Sequence, residues 1–311
     1  MLFLATLLWG VSFPVVKALS LLHPILRPGA GEWFSVIYAV APRFTIATLV
    51  LLAWHRRAVL TMTRAELAQG AGMGLFATIG LLLQVDGLHY TEASTSAFLT
   101  QFYVILLPVY FALRQRVNPG ARVWFCALLV LAGVSILGRF DWRTFSLGRG
   151  EWETLLSSLF FMGQILWLQR RKFAGNRAGH ITLAMFGTHV VLLAPLAVLA
   201  APDLPTLLTP WTSAPWVGLT LILTLLCTLG SFSIMNAWQR KISATEAGLI
   251  YCTEPVFSSL MALGLPALFS IWSGIDYANE QLTWALLLGG GCILLANILA
   301  QLRSGRLSSV G

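Results

Sequence analysis

Apolar residues run through this chain in long blocks, each cut off by a short stretch carrying Arg, Lys, Gly or Pro. Blocks of about 20 residues with few internal charges match ~30 Å of hydrocarbon at ~1.5 Å per residue, so each predicts a membrane-spanning helix. Ten such spans are read, at about Leu2–Leu19, Trp33–Trp54, Leu67–Leu88, Ala93–Leu113, Arg122–Gly138, Trp152–Gln169, Ile181–Ala200, Trp216–Ala237, Ala244–Pro266 and Leu282–Leu302. An irregular loop with Pro24, Pro28, Gly29 and Gly31 joins the first two, and only His89 to Glu92 separate the third and fourth. The first span lacks a basic leading segment and contains Trp9-Gly10 and Pro14, which predicts a retained helix rather than a cleaved signal.

The ninth span interrupts its own pattern. Glu254 lies inside it and Pro255 follows at once. A carboxylate at bilayer depth is costly and normally faces a protein interior or a wet cavity. The proline removes a backbone donor, so the helix is expected to kink or open there. At helical spacing Ala247, Tyr251, Glu254 and Ser258 share one face, and Leu249, Val256 and Leu260 share the opposite one. This predicts lipid behind the helix and a cavity or a neighbouring helix in front.

Composition makes the class plain. The chain is 57% hydrophobic and 10% charged with a mean hydropathy of +0.78, against about 25% charged for a soluble domain, so it reads as an all-α integral membrane protein. The net charge of +8 sits in short loops, where membrane topology explains it better than a nucleic-acid partner does. Arg56, Arg57 and Arg64 follow span two, and Arg114, Arg116 and Arg122 follow span four. Arg170, Arg171, Lys172 and Arg177 follow span six, Arg240 and Lys241 follow span eight, and Arg303 and Arg306 follow span ten. The alternate loops are balanced by acids (Asp141, Glu151 and Glu153 against Arg139, Arg143 and Arg149) or, around Asp203 and around Asp276 and Glu280, contain no base. Basic loops stay cytoplasmic, so both termini are expected inside a cytoplasmic (inner) membrane. Trp33, Trp54, Trp142, Trp152, Trp211 and Trp216 fall near span ends and read as interfacial belts. Cys126, Cys227, Cys252 and Cys292 all lie in apolar runs without metal-ligand spacing and read as small buried side chains.

A faint internal repeat is present. Thr91-Glu92-Ala93 opens span four and Thr245-Glu246-Ala247 opens span nine, while Gly10 and Lys17 of span one match Gly163 and Arg170 of span six. Five spans per half invert the second copy, giving repeats at 1–140 and 149–303 around a central cavity, a ground plan common among transporters. Leu8-Trp9-Gly10-Val11-Ser12-Phe13 with Lys17, Arg43-Phe44, Tyr90 to Leu99 with Pro108, Gly133-Val134, and Ala244 to Val256 with Glu254-Pro255 follow in order along essentially the whole chain. This ordered set resembles the EamA-type family of the drug/metabolite transporter superfamily. The resemblance implies ten transmembrane helices as two inverted five-helix repeats around a cavity. It also implies transport of small organic metabolites, often amino acids or their relatives, with export the expected direction. The long Leu21 to Ser35 loop and Phe161-Met162, where members often carry tryptophan, depart from the family pattern.

Glu254 is the first candidate for the site: it can hold a substrate amine or exchange a proton during transport, or serve as a structural Glu beside the Pro255 break. Arg43, about ten residues into span two, can bind a substrate carboxylate through its fork of donors, or anchor the helix or pair with an internal acid. Lys17, nearer a span end, reads as snorkelling. Trp9, Ser12, Gln84, Thr100, Gln101, Tyr103, Gln164, Asn236 and Tyr251 are polar or aromatic groups at membrane depth that can bind a polar solute or join helix to helix. Thr100 stands opposite Glu254 in the repeat, and Tyr251 lies one turn before it. His189, alone in span seven, reads as a packed or helix-bonded histidine, and no residue set calls for a metal or a cofactor.

A secondary transporter working by alternating access is thus expected, with a small-molecule substrate and the lipid bilayer as partners and proton coupling as an option at Glu254. No GxxxxGK[ST] loop for direct ATP drive is present. The competing readings are a membrane receptor that binds without flux and an intramembrane enzyme acting on lipid. The enzyme lacks support, since there is no HExxH, GxSxG or aspartate-rich motif. Gly70 to Gly74 and Gly289 to Gly291 read as close helix packing or hinges.

Overall fold

A computed structural model describes residues 1–54, 56–91, 93–116, 118, 120–137 and 148–301. Every regular element among them is helical. The helices are α1 (Leu2–Leu26), α2 (Glu32–Trp54), the single turn α3 (Ala58–Thr61), α4 (Arg64–Tyr90), α5 (Ala93–Thr100), α6 (Tyr103–Gln115), α7 (Ala121–Leu137) and α8 (Arg149–Leu168). There follow α9 (Ala178–Ala200), the short α10 (Leu204–Leu208), α11 (Ala214–Ile222), a π-helical stretch Leu223–Gly230, α12 (Ser231–Trp238), α13 (Ala244–Tyr251), α14 (Glu254–Ala262), α15 (Leu265–Ser273) and α16 (Trp284–Gln301).

Of the ten expected spans, five are helices long and apolar enough to cross a membrane: α1, α2, α4, α9 and the continuous Ala214–Lys241. A sixth is the pair Ala244–Ala262 and Leu265–Ser273, bent by 55°. The expected fourth span is divided after Thr100, and α6, α7 and α16 carry shorter apolar stretches. Glu92 of the first repeat motif, Gly138, Arg139, Asp141, Trp142 and Arg143, and everything from Leu302 on, including Arg303 and Arg306, lie outside the described residues.

Helix starts follow local chemistry. Thr63 and Glu66 form a reciprocal capping box at the start of α4, and Ser243 and Glu246 form one at α13. Asp203 caps α10 by accepting from Thr206, whose hydroxyl and amide hold the Asp203 carboxyl below its ordinary pKa. The expected loop after Leu19 is corrected: α1 runs on through Pro24 to Leu26, where the Arg27 amide closes the last turn on His23 O.

In packing, α4 lies against α8 and α9, α2 against α9, α1 against α14 and the π-helical stretch, and α7 against α16. Small residues set these distances. A Cβ at Gly70 would stand 2.4 Å from Ala184 Cβ and 2.6 Å from Ile181 O, and one at Gly74 2.7 Å from Met185 O, so α4 and α9 touch backbone to backbone. Gly133 meets the Gly289 carbonyl in the same way where α7 crosses α16. Leu49, Val191, Leu199, Ile271 and Leu287 stand exposed on the outside of the bundle. In water such a surface would aggregate, whereas in lipid it is the contact surface.

Polar contacts tie the two ends. At one, Arg177 grips Glu66 through Nε at 2.7 Å and Nη2 at 2.9 Å, and Arg240 Nη1 donates to Asn176 O, gathering the basic loops that follow α2, α8 and α12. The carboxylate beside it raises the Arg177 pKa. At the other, Arg149 bonds Asp86 at 2.6 Å, Glu153 at 2.8 Å and the Tyr90 hydroxyl, which donates to Glu32. Lys17 lies against Leu88 O at 3.0 Å, a specific backbone partner in place of simple snorkelling. Trp216 also departs from expectation. It is fully buried, not interfacial: its Nε1–H donates to His23 Nε2 at 2.8 Å and its ring stacks on Tyr38, so the indole is satisfied inside the bundle.

Candidate functional site

Two helix interruptions build the centre of the molecule. Pro255 has no N–H to give the carbonyl four residues back, so α13 stops at Tyr251 and a turn through Cys252 and Thr253 leads into α14. There Pro255 takes a first-turn position, where a missing N–H costs nothing. Thr253 Oγ1 donates to Ile250 O and shares a hydrogen bond of 3.0 Å with Thr6 Oγ1 of α1, which fixes the turn. The second interruption, at Gln101 and Phe102 between α5 and α6, carries no proline. Thr100 Oγ1 turns back to Ser96 O at 2.8 Å there.

These breaks bring Gln101 and Glu254 together. Gln101 Nε2 donates to Glu254 Oε2 at 3.1 Å, and Tyr103 OH donates to Gln101 Oε1 at 2.6 Å. The tyrosine thereby sets which face of the amide meets the carboxylate. Nearby, Gln84 Nε2 donates to Thr100 Oγ1 at 2.9 Å.

Beside this cluster lies a cavity of about 80 Å³, lined by Trp9, Ser12, Arg43, Gln84, Thr100, Tyr103, Gln164, Tyr251 and Glu254 among the residues singled out in the sequence. Gln101 is not on its wall and touches it through Glu254, to which its amide donates. Asn236 is away from it: its amide donates to Thr182 Oγ1 at 2.9 Å and contacts Met185 Sδ, joining α12 to α9. The wall also includes Leu81, Phe161, Ile165, Cys227, Phe232 and Met235, none of them among the sequence candidates. Leu81 and Phe161 precede Gln84 and Gln164 by one helical turn, a spacing that could have found them. Cys227 sits in the π-helical stretch, whose changed register no side-chain pattern announces.

Aromatic rings frame the space. Trp9 packs edge-on against Tyr251 at 5.2 Å and against Phe232 at 5.4 Å. Tyr251 OH donates to Gln239 Oε1 at 2.9 Å, and Gln239 Nε2 to Ile165 O, so the tyrosine is held from behind. His189 is helix-bonded through Nδ1 to Met185 O at 2.8 Å and stacks on Phe44 at 3.7 Å.

Arg43 is different. Its side chain is 4% exposed and lines the cavity, yet among the described residues it makes no ion pair or hydrogen bond, and its Nε is orphaned. Its contact is the Phe44 ring, 5.2 Å from the guanidinium carbon. Among the described residues the cavity thus presents a cation without a counter-ion and a carboxylate whose one hydrogen-bond partner is an amide, within a mostly apolar and aromatic wall.

Residues 1–139 match the family model of the EamA-like transporter family, which bears out the resemblance read from the motifs over that part of the chain. A protein of Archaeoglobus fulgidus described as an uncharacterized transporter is 26% identical over 302 residues, covering 96% of this chain and 84% of that protein. A solved crystal structure overlays with a TM-score of 0.63 at 20% identity, covering 98% of this chain and 99% of that one, a likeness of fold. The chain is a multi-pass membrane protein similar to transporters.

Proposed function

We propose that this chain is a secondary transporter that carries a small zwitterionic metabolite, an amino acid or a close relative, across the cytoplasmic membrane through the cavity between Arg43 and Glu254. The observation that carries the reading is the buried, unpartnered guanidinium of Arg43 facing the same cavity as Glu254. A buried charge without a counter-ion is costly, and it is retained where a ligand supplies the missing charge. A substrate carboxylate would take the Arg43 fork and a substrate amine would lie at Glu254, with Trp9, Tyr103 and Tyr251 packing its carbon atoms.

Two inverted five-helix repeats that rock about this cavity, both termini in the cytoplasm and export as the net direction complete the proposal. The helix breaks beside the cavity and the basic loops support it. Glu254 exchanging a proton with water would couple the cycle to a pH gradient. The test is counterflow in proteoliposomes loaded with one unlabelled amino acid or amine at a time. Saturable uptake of the matching labelled solute, absent from protein-free liposomes, is expected. Binding of that solute without any flux would overturn transport in favour of a receptor.

A further inference from the structure

Away from the central cavity, where α2 ends, lies a cleft of about 420 Å³ lined by Trp54, Arg56, Arg57, Thr61 and His180 together with Ala53 and Ala58. We infer that this cleft binds the phosphate of an anionic phospholipid, with the acyl chains lying along Trp54, Val59 and Leu60.

Its depth in the membrane follows from the chain. The apolar α2 ends at Trp54, α3 makes one turn, and Thr63 caps the next long apolar helix, so the elbow marks the edge of the hydrocarbon. Three large apolar side chains face outward there: Trp54 is 77% exposed, Val59 57% and Leu60 86%. In a loop bathed only by water that exposure is unfavourable, whereas beside lipid tails it is not.

The charges are the second observation. Glu66, the carboxylate beside the cleft, is already engaged by Thr63 N, by the Arg177 amide and guanidinium, and by His180 Nδ1 at 3.1 Å. Arg56 and Arg57 make no side-chain hydrogen bond or ion pair among the described residues. Two guanidinium groups without a partner among the described residues and an imidazole therefore line this space, while the Thr61 hydroxyl beside them is spent on Arg57 O. This is the donor set for a phosphate, and its place at the interface favours a lipid headgroup as the source.

The test uses the full chain in detergent with native mass spectrometry. It compares phosphatidylglycerol with phosphatidylcholine, for the wild type, the Arg56→Gln/Arg57→Gln double variant, and an Arg114→Gln/Arg116→Gln double variant in a second basic loop. Phosphatidylglycerol is expected to stay bound to the wild type in preference to phosphatidylcholine. Roughly fivefold retention should be lost per arginine, about 25-fold in the first double variant, with little change in the second. Equal losses in both variants would mean diffuse loop charge, and the site would be abandoned. Inorganic phosphate at millimolar concentration displacing the lipid completely would mean that free phosphate is the ligand. Should the first variant not fold, the wild type alone decides: a melting temperature raised no more by phosphatidylglycerol than by phosphatidylcholine ends the proposal.

Discussion

Replacing Arg43 with Met separates a binding cation from a structural one, because the two roles predict opposite signs. The guanidinium is buried, its Nε has no hydrogen-bond partner among the described residues, and the Phe44 ring lies 5.2 Å from its carbon. Desolvating a cation costs several kcal/mol, of which a ring contact offsets about 1–2 kcal/mol. Met fills similar space without charge, so Arg43→Met is expected to leave the substrate-free protein unchanged or more stable, by about 1–4 kcal/mol. Binding moves the other way. Losing two charge-assisted hydrogen bonds of about 1.5–3 kcal/mol each removes at least about 3 kcal/mol, more than 100-fold in affinity.

The assay pairs thermal unfolding in one detergent with counterflow over a range of substrate concentrations. Arg43→Lys should fall between, since it keeps the charge but not the fork. The reasoning is refuted if Arg43→Met melts well below wild type and keeps its half-saturating concentration, for then Arg43 anchors the fold.

Three further outcomes are expected. Glu254→Gln keeps the hydrogen-bonding shape beside Gln101 but carries no exchangeable proton, so substrate exchange should continue while pH-gradient-driven accumulation is lost; wild-type flux with wild-type pH dependence would end the coupling idea. Cys227 lines the cavity whereas Cys126 and Cys252 are buried off it, so in a chain with Cys292 replaced by Ser a small methanethiosulfonate reagent should label Cys227 before those two and substrate should slow the labelling; an inert Cys227 would remove that wall from the water-accessible space. Gly10→Ala should destabilise, at about 1–3 kcal/mol of overpacking, because its new Cβ would lie 2.9 Å from the Ser258 backbone N, while Gly187→Ala, with open space around it, should gain up to about 1 kcal/mol of helix propensity; equal melting shifts would contradict the packing of α1 on α14.

Much of the cavity was legible because a polar group in an apolar run must face something other than lipid. Arg43, Gln84, Gln164 and Glu254 each had to turn inward, and one interior space collects them. The same rule cannot tell a cavity from a helix joint, which is why Asn236 was grouped with them although its amide is spent on Thr182. Pro255 announced its break. The interruption at Gln101 has no proline or glycine to mark it, and only tertiary packing places it. Trp216 was misread because a tryptophan at a span end is ordinarily interfacial. What moved it inside was His23, almost two hundred residues earlier, on an α1 that outruns its apolar block. The long apolar helices needed no such information, since length and hydropathy alone define them.

The two charges of the cavity are not equally provided for, and this asymmetry has a consequence for ligand preference. Glu254 opens α14, and Gln101 donates to its carboxylate under the hold of Tyr103. Arg43 lies in the interior of α2, where no helix end compensates a cation, and among the described residues no carboxylate pairs with it. The protein thus gives its anion a hydrogen-bond donor and its cation only the Phe44 ring among the described residues. A ligand carboxylate therefore gains more at Arg43 than a ligand amine gains at Glu254. Once counterflow has named a substrate, its carboxylic-acid analogue lacking the amine should compete more strongly than its amine analogue lacking the carboxylate, by about tenfold for a difference of ~1.4 kcal/mol. The order should invert in Arg43→Met. Stronger competition by the amine analogue in the wild type would mean that Glu254, and not Arg43, dominates recognition.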